Sequence, residues 1–290
     1  MLKSAVLIAG PTASGKSRRA MEIARETDGV IVNADSMQVY GVLRVLTARP
    51  SEADEAELPH RLFGHVHPGT FYSVASWLGD VEALIATGIF DTQPAIFVGG
   101  TGLYFRALTQ GLSQMPEIPD DIRTKWRDAL LVGGSDALHR QLAERDPRAA
   151  ARLRPGDGQR IVRALEVFDA SGRSILDWQG ERGQPLVDPE AARMLVIAPE
   201  RETLRRNIDA RFDRMVEAGA IGEVEQLLAL RLPPQMPAMK AIGVPELAAV
   251  LRGELAIDAA IERAKAATRQ YAKRQDTWFR NQLGSDWQRV

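Results

Sequence analysis

The feature that most constrains this chain is a glycine-rich segment near its start. Residues 10–17 read Gly10-Pro11-Thr12-Ala13-Ser14-Gly15-Lys16-Ser17, which fits the pattern G-x-x-x-x-G-K-[ST]. The segment follows a short apolar run, Ala5–Ala9, which is typical of a buried parallel strand, and it precedes a helical pattern over about residues 16–27. A strand, a glycine loop and a helix in this order predict a phosphate-binding loop.

The residue types of the loop suit this task. Small residues allow backbone N–H groups to converge on phosphate oxygens, and the N-terminus of the following helix adds its positive dipole end. Lys16 supplies a full positive charge, and the hydroxyl of Ser17 is suited to Mg²⁺, which we expect as the cofactor. The loop therefore predicts binding of a di- or triphosphate, without indicating which one.

Further strands predict the fold class. Short apolar runs at Gly29–Asn33, Ala95–Gly99 and Met194–Ala198 alternate with helical patterns, which favours an α/β fold with a doubly wound parallel sheet. Residues 121–178 are helical in pattern and are bordered by loose stretches at 111–120 and 180–189. We therefore predict a P-loop core over 1–112 and 190–290, ending in C-terminal helices, and a helical insertion domain over 113–189.

Composition excludes several classes of protein. The 290 residues include no cysteine, which excludes a disulfide framework, a thiolate zinc site and cysteine catalysis. The apolar runs are only a few residues long, too short for a transmembrane span, and the chain shows no signal peptide before the first strand. These observations lead us to expect a cytoplasmic protein without a membrane partner, and a monomer is the default assembly.

The net charge of −1 conceals an uneven distribution. Residues 52–57 hold four acids, whereas residues 148–163 hold five arginines against one acid and residues 263–290 hold seven lysines or arginines against two acids. In the last helical pattern, Lys265, Arg269, Lys273 and Arg280 share one flank beside the apolar face. Solvated helix faces explain any single run, but several basic runs together favour a nucleic-acid surface.

Other candidate site residues follow the predicted strands. Asp35 comes just after the second strand, where it can bind Mg²⁺, act as a base or cap a helix, and Gly99-Gly100-Thr101-Gly102 follows the third. Arg211 lies at the margin of an apolar helical arc. A charge there is costly unless it meets an anion or pairs with an acid, such as Asp209 or Asp213.

Several motifs together resemble one known family. They are GPTASGKS at Gly10–Ser17, DSMQVY at Asp35–Tyr40, GGTGLY at Gly99–Tyr104, DPRAAARLRPGDGQRIVRALEV at Asp146–Val167 and YAKRQDTWFR at Tyr271–Arg280. In this order, and across nearly the whole chain, they look like the signatures of the tRNA dimethylallyltransferases, also called tRNA isopentenyltransferases. The ordered set is far more specific than the phosphate loop alone.

The resemblance implies a reaction and a set of roles. Such enzymes transfer a dimethylallyl group from dimethylallyl diphosphate to N6 of adenosine 37 in tRNA and release diphosphate. By this resemblance Gly10–Ser17 holds the diphosphate, Asp35 is the general base, Thr101 orients the substrate amine and Arg211 contacts the diphosphate. The expected partners are therefore dimethylallyl diphosphate and the anticodon stem-loop of tRNA.

The same resemblance implies tRNA contacts. Those bordering the target base are Asp35, Ser36, Met37, Gln38 and Thr101, and those elsewhere are Arg123, Gln159, Arg160, Ile161, Val162, Arg163 and Lys240. The chain also departs from the family pattern. It has Arg49 where a lysine is usual, Gly64 where an aspartate is common, Gly156 for asparagine and Val244 for tyrosine.

Three other functions fit parts of the sequence. A P-loop small-molecule kinase using ATP shares the loop, the sheet and a helical lid. A nucleic-acid-binding NTPase without transfer chemistry retains the basic runs but does not require Asp35. An enzyme that modifies a free adenosine nucleotide requires Asp35 but not the arginines of the insertion.

Overall fold

The computed structural model describes residues 1–181 and 183–290, so residue 182, within the predicted connection 180–189, lies outside the described residues. The chain divides into two compact units. One consists of Met1–Thr109 and Pro185–Val290, and the other of Gln110–Gln184.

The first unit is built on a six-stranded parallel sheet, which confirms the predicted fold class. The strands are β1 (Ala5–Ala9), β2 (Val30–Asn33), β3 (His60–Arg61), β4 (Ala95–Gly99), β5 (Arg193–Val196) and β6 (Gln288–Arg289). Their order across the sheet is β3-β2-β4-β1-β5-β6, and every pairing is parallel. The phosphate loop therefore leaves the interior strand β1, flanked by β4 and β5.

Both faces of the sheet are buried. Leu7 belongs to the cluster that covers one face, and the next residue, Ile8, belongs to the cluster that covers the other. Phe97 and Ile96 on β4 divide between the same two clusters. Because successive side chains of a strand point to opposite faces, a continuous apolar run is what a sheet covered on both sides requires.

Helices account for most of the remaining chain. Four lie before the second unit: α1 (Lys16–Thr27), α2 (Glu52–Glu57), α3 (Val74–Ala86) and α4 (Gly102–Gln110). The second unit contains α5 (Asp120–Arg145), α6 (Pro147–Ala150), α7 (Gly158–Ser171) and α8 (Ile175–Gly180). After it come α9 (Arg201–Glu217), α10 (Ala220–Ala229), α11 (Val244–Leu251) and α12 (Ile257–Gln282). None of the described helices is long and apolar enough to cross a membrane.

The second unit has a core of its own. Trp126 and Leu142 from α5 pack in it with Ile161 and Leu165 from α7, and all four side chains are buried. Asp146 is also buried, where it accepts hydrogen bonds from the Ala149 backbone and the Ser174 hydroxyl. These contacts join the start of α6 to the start of α8 and give Asp146 a structural role.

The predicted basic flank of α12 is largely neutralised. Lys265 pairs with Asp213 at 2.7 Å, Arg280 pairs with Asp276 at 2.7 Å and Arg269 pairs with Asp209. Within residues 1–181 and 183–290, Lys273 is the member of this flank without an ion-pair partner. Two of these four cations therefore join α12 to α9, one pairs within α12, and the expectation of a phosphate-binding stripe there is weakened.

Candidate functional site

The phosphate loop has the backbone form that its glycines and small residues allow. Ala13 and Gly15 have φ of 62° and 91°, and the Ser14 N–H donates to the Pro11 carbonyl at 3.2 Å. Lys16 begins α1, is buried, and its Nζ donates to the same carbonyl at 3.3 Å. The loop thus wraps around the ammonium group and holds it at the start of the helix.

Burial changes the chemistry of this lysine. Desolvation lowers the pKa of Lys16 to about 8, nearby Asp35 acts to raise it, and nearby Arg211 acts to lower it. A bound anion replaces the lost hydration and favours the charged form. The position therefore suits a group that binds a diphosphate through its charge.

A cavity of about 480 Å³ opens beside Lys16, and we call it the lysine cavity. Its cationic side chains outnumber its one carboxylate, Asp54, by five to one. They are Lys16, Arg18, Arg49, Arg211 and Arg214. A concentration of positive charge next to a phosphate loop predicts a strongly anionic ligand.

A second cavity of about 360 Å³, the aspartate cavity, contains Asp35. Its other polar walls include Thr12, Ser36, Thr47, Lys240, Thr268 and Arg274, and its apolar and aromatic walls include Met37, Leu46, Ile208, Phe212, Met215, Ile242 and Tyr271. Ala13 and Arg211 line both cavities. A cationic chamber and a mainly apolar chamber holding a carboxylate therefore meet at one arginine.

The carboxylate of Asp35 is fixed by local backbone contacts. Its Oδ1 accepts from the Met37 N–H at 3.0 Å, and its own N–H donates to Oδ1 of buried Asn33 at 2.9 Å. Residues 36–39 form a turn, not a helix, so the alternative of a helix cap is wrong. The turn occupies one oxygen and leaves the other for chemistry.

Thr101 lies next to this turn. Its Oγ1 accepts from the Ser36 N–H at 2.9 Å and is 3.2 Å from the Ser36 hydroxyl oxygen. Neither cavity has Thr101 on its wall. In this structure Thr101 supports the segment after Asp35, and its action on a substrate amine stays a prediction.

Gln38 faces a different direction from its neighbours. It lines the lysine cavity, whereas Asp35, Ser36 and Met37 line the aspartate cavity. Its amide Nε2 donates to the carbonyls of Thr47 and Ala48, both at 2.9 Å. Both donors are thus used, and a base contact by this side chain is left to its acceptor oxygen.

Arg211 forms no ion pair with any acid in the described part of the chain. The two acids considered as partners are engaged elsewhere, since Asp209 pairs with Arg269 and Asp213 pairs with Lys265. In the described part of the chain no carboxylate lies within ion-pair distance of Arg211, so the pairing alternative is wrong. Burial, the largest cause, lowers its pKa, while Asp35 acts to raise it. A half-buried arginine between two cavities is suited to an anionic ligand.

Two departures from the family pattern explain each other. A side chain at Gly64 would begin 2.1 Å from the guanidinium carbon of Arg49, so the arginine fills the space that an aspartate would need. Arg49 donates to the Tyr40 carbonyl at 3.1 Å, and its buried Nε has no partner among the residues that the structure describes. Compared with the usual lysine and aspartate, this pair keeps the cation on the wall of the lysine cavity and lacks the carboxylate.

The predicted tRNA contacts divide by exposure. Lys240 lies with Asp35 in the aspartate cavity. In the second unit, Gln159 and Arg160 are exposed and Arg123 and Arg163 are half-buried. All three arginines are within ion-pair distance of neighbouring acids. The side chains of Ile161 and Val162 are buried in the core of that unit, so only their backbone is placed to contact RNA.

One buried residue of the site was not predicted. Gln275 on α12 bonds to the phosphate loop and to the loop after β4. The sequence does contain a signal for this residue. Gln275 lies about five full helical turns after Ile257, so helical periodicity places it in the middle of the apolar face of α12. A polar residue there requires partners.

The residues present fit a metal ion shared with a phosphate ligand. Among the described residues, no three His, Cys, Asp or Glu side chains gather into a metal site. Ser17 is exposed at the first turn of α1, where its hydroxyl can join phosphate oxygens around Mg²⁺. Magnesium ions that accompany phosphates commonly take few ligands from the protein.

The parallel sheet, the phosphate loop and the facing carboxylate define a group-transfer enzyme of the P-loop class. A family model described as IPP transferase matches residues 38–282, and another, isopentenyl transferase, matches residues 3–63. Two proteins named tRNA dimethylallyltransferase are each 61% identical to this chain. The protein from Chelativorans sp. (strain BNC1) aligns over 100% of this chain and 99% of its own length. The protein from Mesorhizobium japonicum aligns over 100% of this chain and 90% of its own length.

Solved structures agree with this relationship. The tRNA isopentenylpyrophosphate transferase of Bacillus halodurans is 31% identical, with a TM-score of 0.70, over 99% of this chain and 89% of its own. A eukaryotic dimethylallyltransferase, described as acting on tRNA, is 27% identical, with a TM-score of 0.79, over 95% of this chain and 69% of its own. The chain belongs to the tRNA dimethylallyltransferase family and is a prenyltransferase.

Proposed function

We propose that this enzyme transfers the dimethylallyl group of dimethylallyl diphosphate to N6 of adenosine 37 in tRNA. The observation that carries the proposal is the meeting of the two cavities at Arg211. One cavity has the charge for a diphosphate, and the other has a carboxylate in mainly apolar walls of a size suited to a base. A cytoplasmic location follows from the substrate, and a monomer is the simplest assembly because one chain lines both cavities.

On the donor side, the bond between the dimethylallyl carbon and the diphosphate oxygen breaks. The negative charge that develops on the leaving oxygen is stabilised by Lys16, Arg211 and the loop N–H groups. Ser17, with the diphosphate itself, would hold Mg²⁺, which supplies further positive charge at the leaving group. A preorganised set of cations lowers the barrier because it does not have to reorient as charge appears.

On the acceptor side, the adenine N6 is a poor nucleophile because its lone pair is delocalised into the ring. It must lose a proton as the new carbon–nitrogen bond forms, and the free oxygen of Asp35 takes this proton. The Met37 N–H keeps the other oxygen in place. The base must leave the stacked RNA to reach this cavity, and Lys240 on its wall suits a neighbouring phosphate.

Mass analysis of unmodified tRNA after incubation with enzyme, Mg²⁺ and dimethylallyl diphosphate tests the proposal. We expect a mass increase of one dimethylallyl group on the adenosine beside the anticodon. In a parallel reaction, ATP replaces dimethylallyl diphosphate. Consumption of ATP without prenyl transfer would refute the proposal and favour a kinase. The family relationship does not favour that kinase alternative.

Deprotonation of Lys16 is expected to lower the activity of the enzyme at basic pH. Since its pKa is lowered to about 8, the free enzyme loses the diphosphate-binding charge above that pH. We expect kcat/KM for the donor to fall about tenfold per pH unit above 8, because this parameter reports groups of the free enzyme. The kcat at saturating donor should fall less, since bound diphosphate favours the protonated lysine.

A Lys16→Arg variant is the control for this decrease, because arginine stays charged throughout the range. Its kcat/KM, although lower, should be level between pH 8 and 10. A wild-type kcat/KM that is also level there, or an equal fall in the variant, would contradict the assignment.

The second unit allows RNA contact and packing to be separated. Arg160→Ala should weaken tRNA binding, lower the slope of log affinity against log salt by about one, and leave the melting temperature nearly unchanged. Ile161→Ala should instead destabilise the protein by about 2–5 kcal/mol, because it opens a cavity in a packed core. Salt-dependent tRNA titration and thermal unfolding measure the two effects. Equal tRNA affinity and salt slope in Arg160→Ala and wild type would remove Arg160 from the RNA surface.

A further inference from the structure

A buried glutamine joins the two loops that frame the site. Oε1 of Gln275 accepts from the Thr12 N–H at 2.9 Å, and its Nε2 donates to the Gly100 carbonyl at 3.0 Å. Thr12 belongs to the phosphate loop, and Gly100 to the loop after β4. Gln275 is 5% exposed, its bond to Gly100 is buried and its bond to Thr12 is partly buried. One amide thus satisfies a backbone donor of one loop and a backbone acceptor of the other.

The geometry leaves little freedom to this bridge. A Cβ on Gly100 would stand 2.2 Å from Nε2 of Gln275, so only glycine admits the amide at this depth. Removing the glutamine would take away the partner of the partly buried Thr12 N–H and of the buried Gly100 carbonyl, which is costly. The bridge therefore fixes the distance between the loops as well as their hydrogen bonding.

The bridge also leads to the carboxylate. The residue after Gly100 is Thr101, whose hydroxyl oxygen accepts from the Ser36 N–H, and Ser36 follows Asp35. A continuous path of backbone and hydrogen bonds thus runs from Thr12 through Gln275 to the segment that carries Asp35. A shift at either loop reaches both the cationic group and the carboxylate.

We propose that Gln275 is a positioning residue, which aligns the leaving-group loop with the loop that supports the base Asp35. It touches neither substrate in this scheme and acts through Thr12 and Gly100. The inference rests on the proposed transfer reaction, because the two loops need a common alignment only if one atom is attacked as another leaves. Misalignment on the scale of 1 Å lowers rates by about 100-fold.

Gln275→Glu tests this role through its protonation. A neutral carboxylic acid offers one donor and one acceptor, the two functions that the amide uses in this bridge, whereas a carboxylate has no donor for the Gly100 carbonyl. At pH 8 we expect kcat to fall about 10- to 100-fold, with the tRNA Kd within about twofold of wild type. At pH 6 the deficit should shrink at least about threefold, because burial favours the neutral acid.

The ratio of variant to wild-type kcat isolates this effect, because every other titrating group is present in both proteins. Gln270→Glu, the same change at an exposed position of α12, should show a ratio near one at both pH values. Gly100→Ala disturbs the bridge from its other end without a change of charge, and it too should lower kcat more than tRNA affinity. Its Cβ would also stand 3.1 Å from Asp35 Oδ2, so this variant tests the alignment of the loop with the base as well as the bridge.

The outcomes distinguish the two proposals. Wild-type kcat in Gln275→Glu at both pH values, or a pH-independent deficit accompanied by an equal loss of tRNA binding and a lower melting temperature, would overturn the positioning role. Failure of the wild-type enzyme to prenylate tRNA would overturn the proposed function instead.

Discussion

Asp35→Asn is expected to lower the rate of the transfer step at least about 100-fold and to leave tRNA affinity within about twofold of wild type. Asparagine keeps the oxygen that accepts from the Met37 N–H, so the turn after β2 is retained. What it lacks is a basic oxygen for the N6 proton. The decrease in transfer rate therefore reports the contribution of proton removal by Asp35. Single-turnover prenylation at saturating donor and tRNA measures it.

Two further variants sharpen this result. Asp35→Ala also removes the turn acceptor, so it should lose at least as much activity. Asp188→Asn is a matched control, because Asp188 forms the same kind of turn, with Oδ1 accepting from the Glu190 N–H at 3.0 Å, on the wall of neither cavity. Equal prenylation by Asp35→Asn and wild type would refute the base assignment.

Arg211→Ala is expected to lower kcat by about 100- to 1,000-fold, which is the range for the loss of one preorganised group that stabilises developing charge. The basis is that Arg211 lines both cavities and that the nearest candidate acids are already paired. Because the leaving group gains charge in the transition state, kcat should fall more than the donor KM rises.

Arg206→Ala provides the control on the same helix. Arg206 is exposed, contacts the Thr203 hydroxyl at 3.4 Å and lines neither cavity, so its removal should leave kcat near the wild-type value. The melting temperatures of both variants show whether α9 still packs. A donor KM that rises with kcat unchanged would assign Arg211 to ground-state binding alone.

Local signals in the sequence predicted the centre of the fold well. Ala5–Ala9, Ala95–Gly99 and the helix over residues 16–27 have the predicted bounds, because an apolar run or a glycine loop marks each one within a few residues. The edge strands β3 and β6 were not predicted. Each has two residues, and what makes it a strand is its neighbour in the sheet, which sequence patterns do not contain.

The site was predictable where a motif supplies the chemistry and not where distant segments meet. The phosphate loop and Asp35 follow their strands, so the parallel sheet brings them to one edge. Whether Arg211 has an acid partner depended on which cations Asp209 and Asp213 contact from another helix. Ile161 was named through the family resemblance, although its apolar side chain on a helix already favoured the core.

The contact between Thr12 and Gln275 also bears on how the enzyme is made. The two residues are 263 positions apart. At about 5–20 residues per second, a ribosome needs roughly 13–53 seconds to pass from one to the other. During that time the nascent chain has its phosphate loop but not the helix that braces it. The protein therefore acquires its complete catalytic geometry only after Gln275 has been synthesised and α12 has docked.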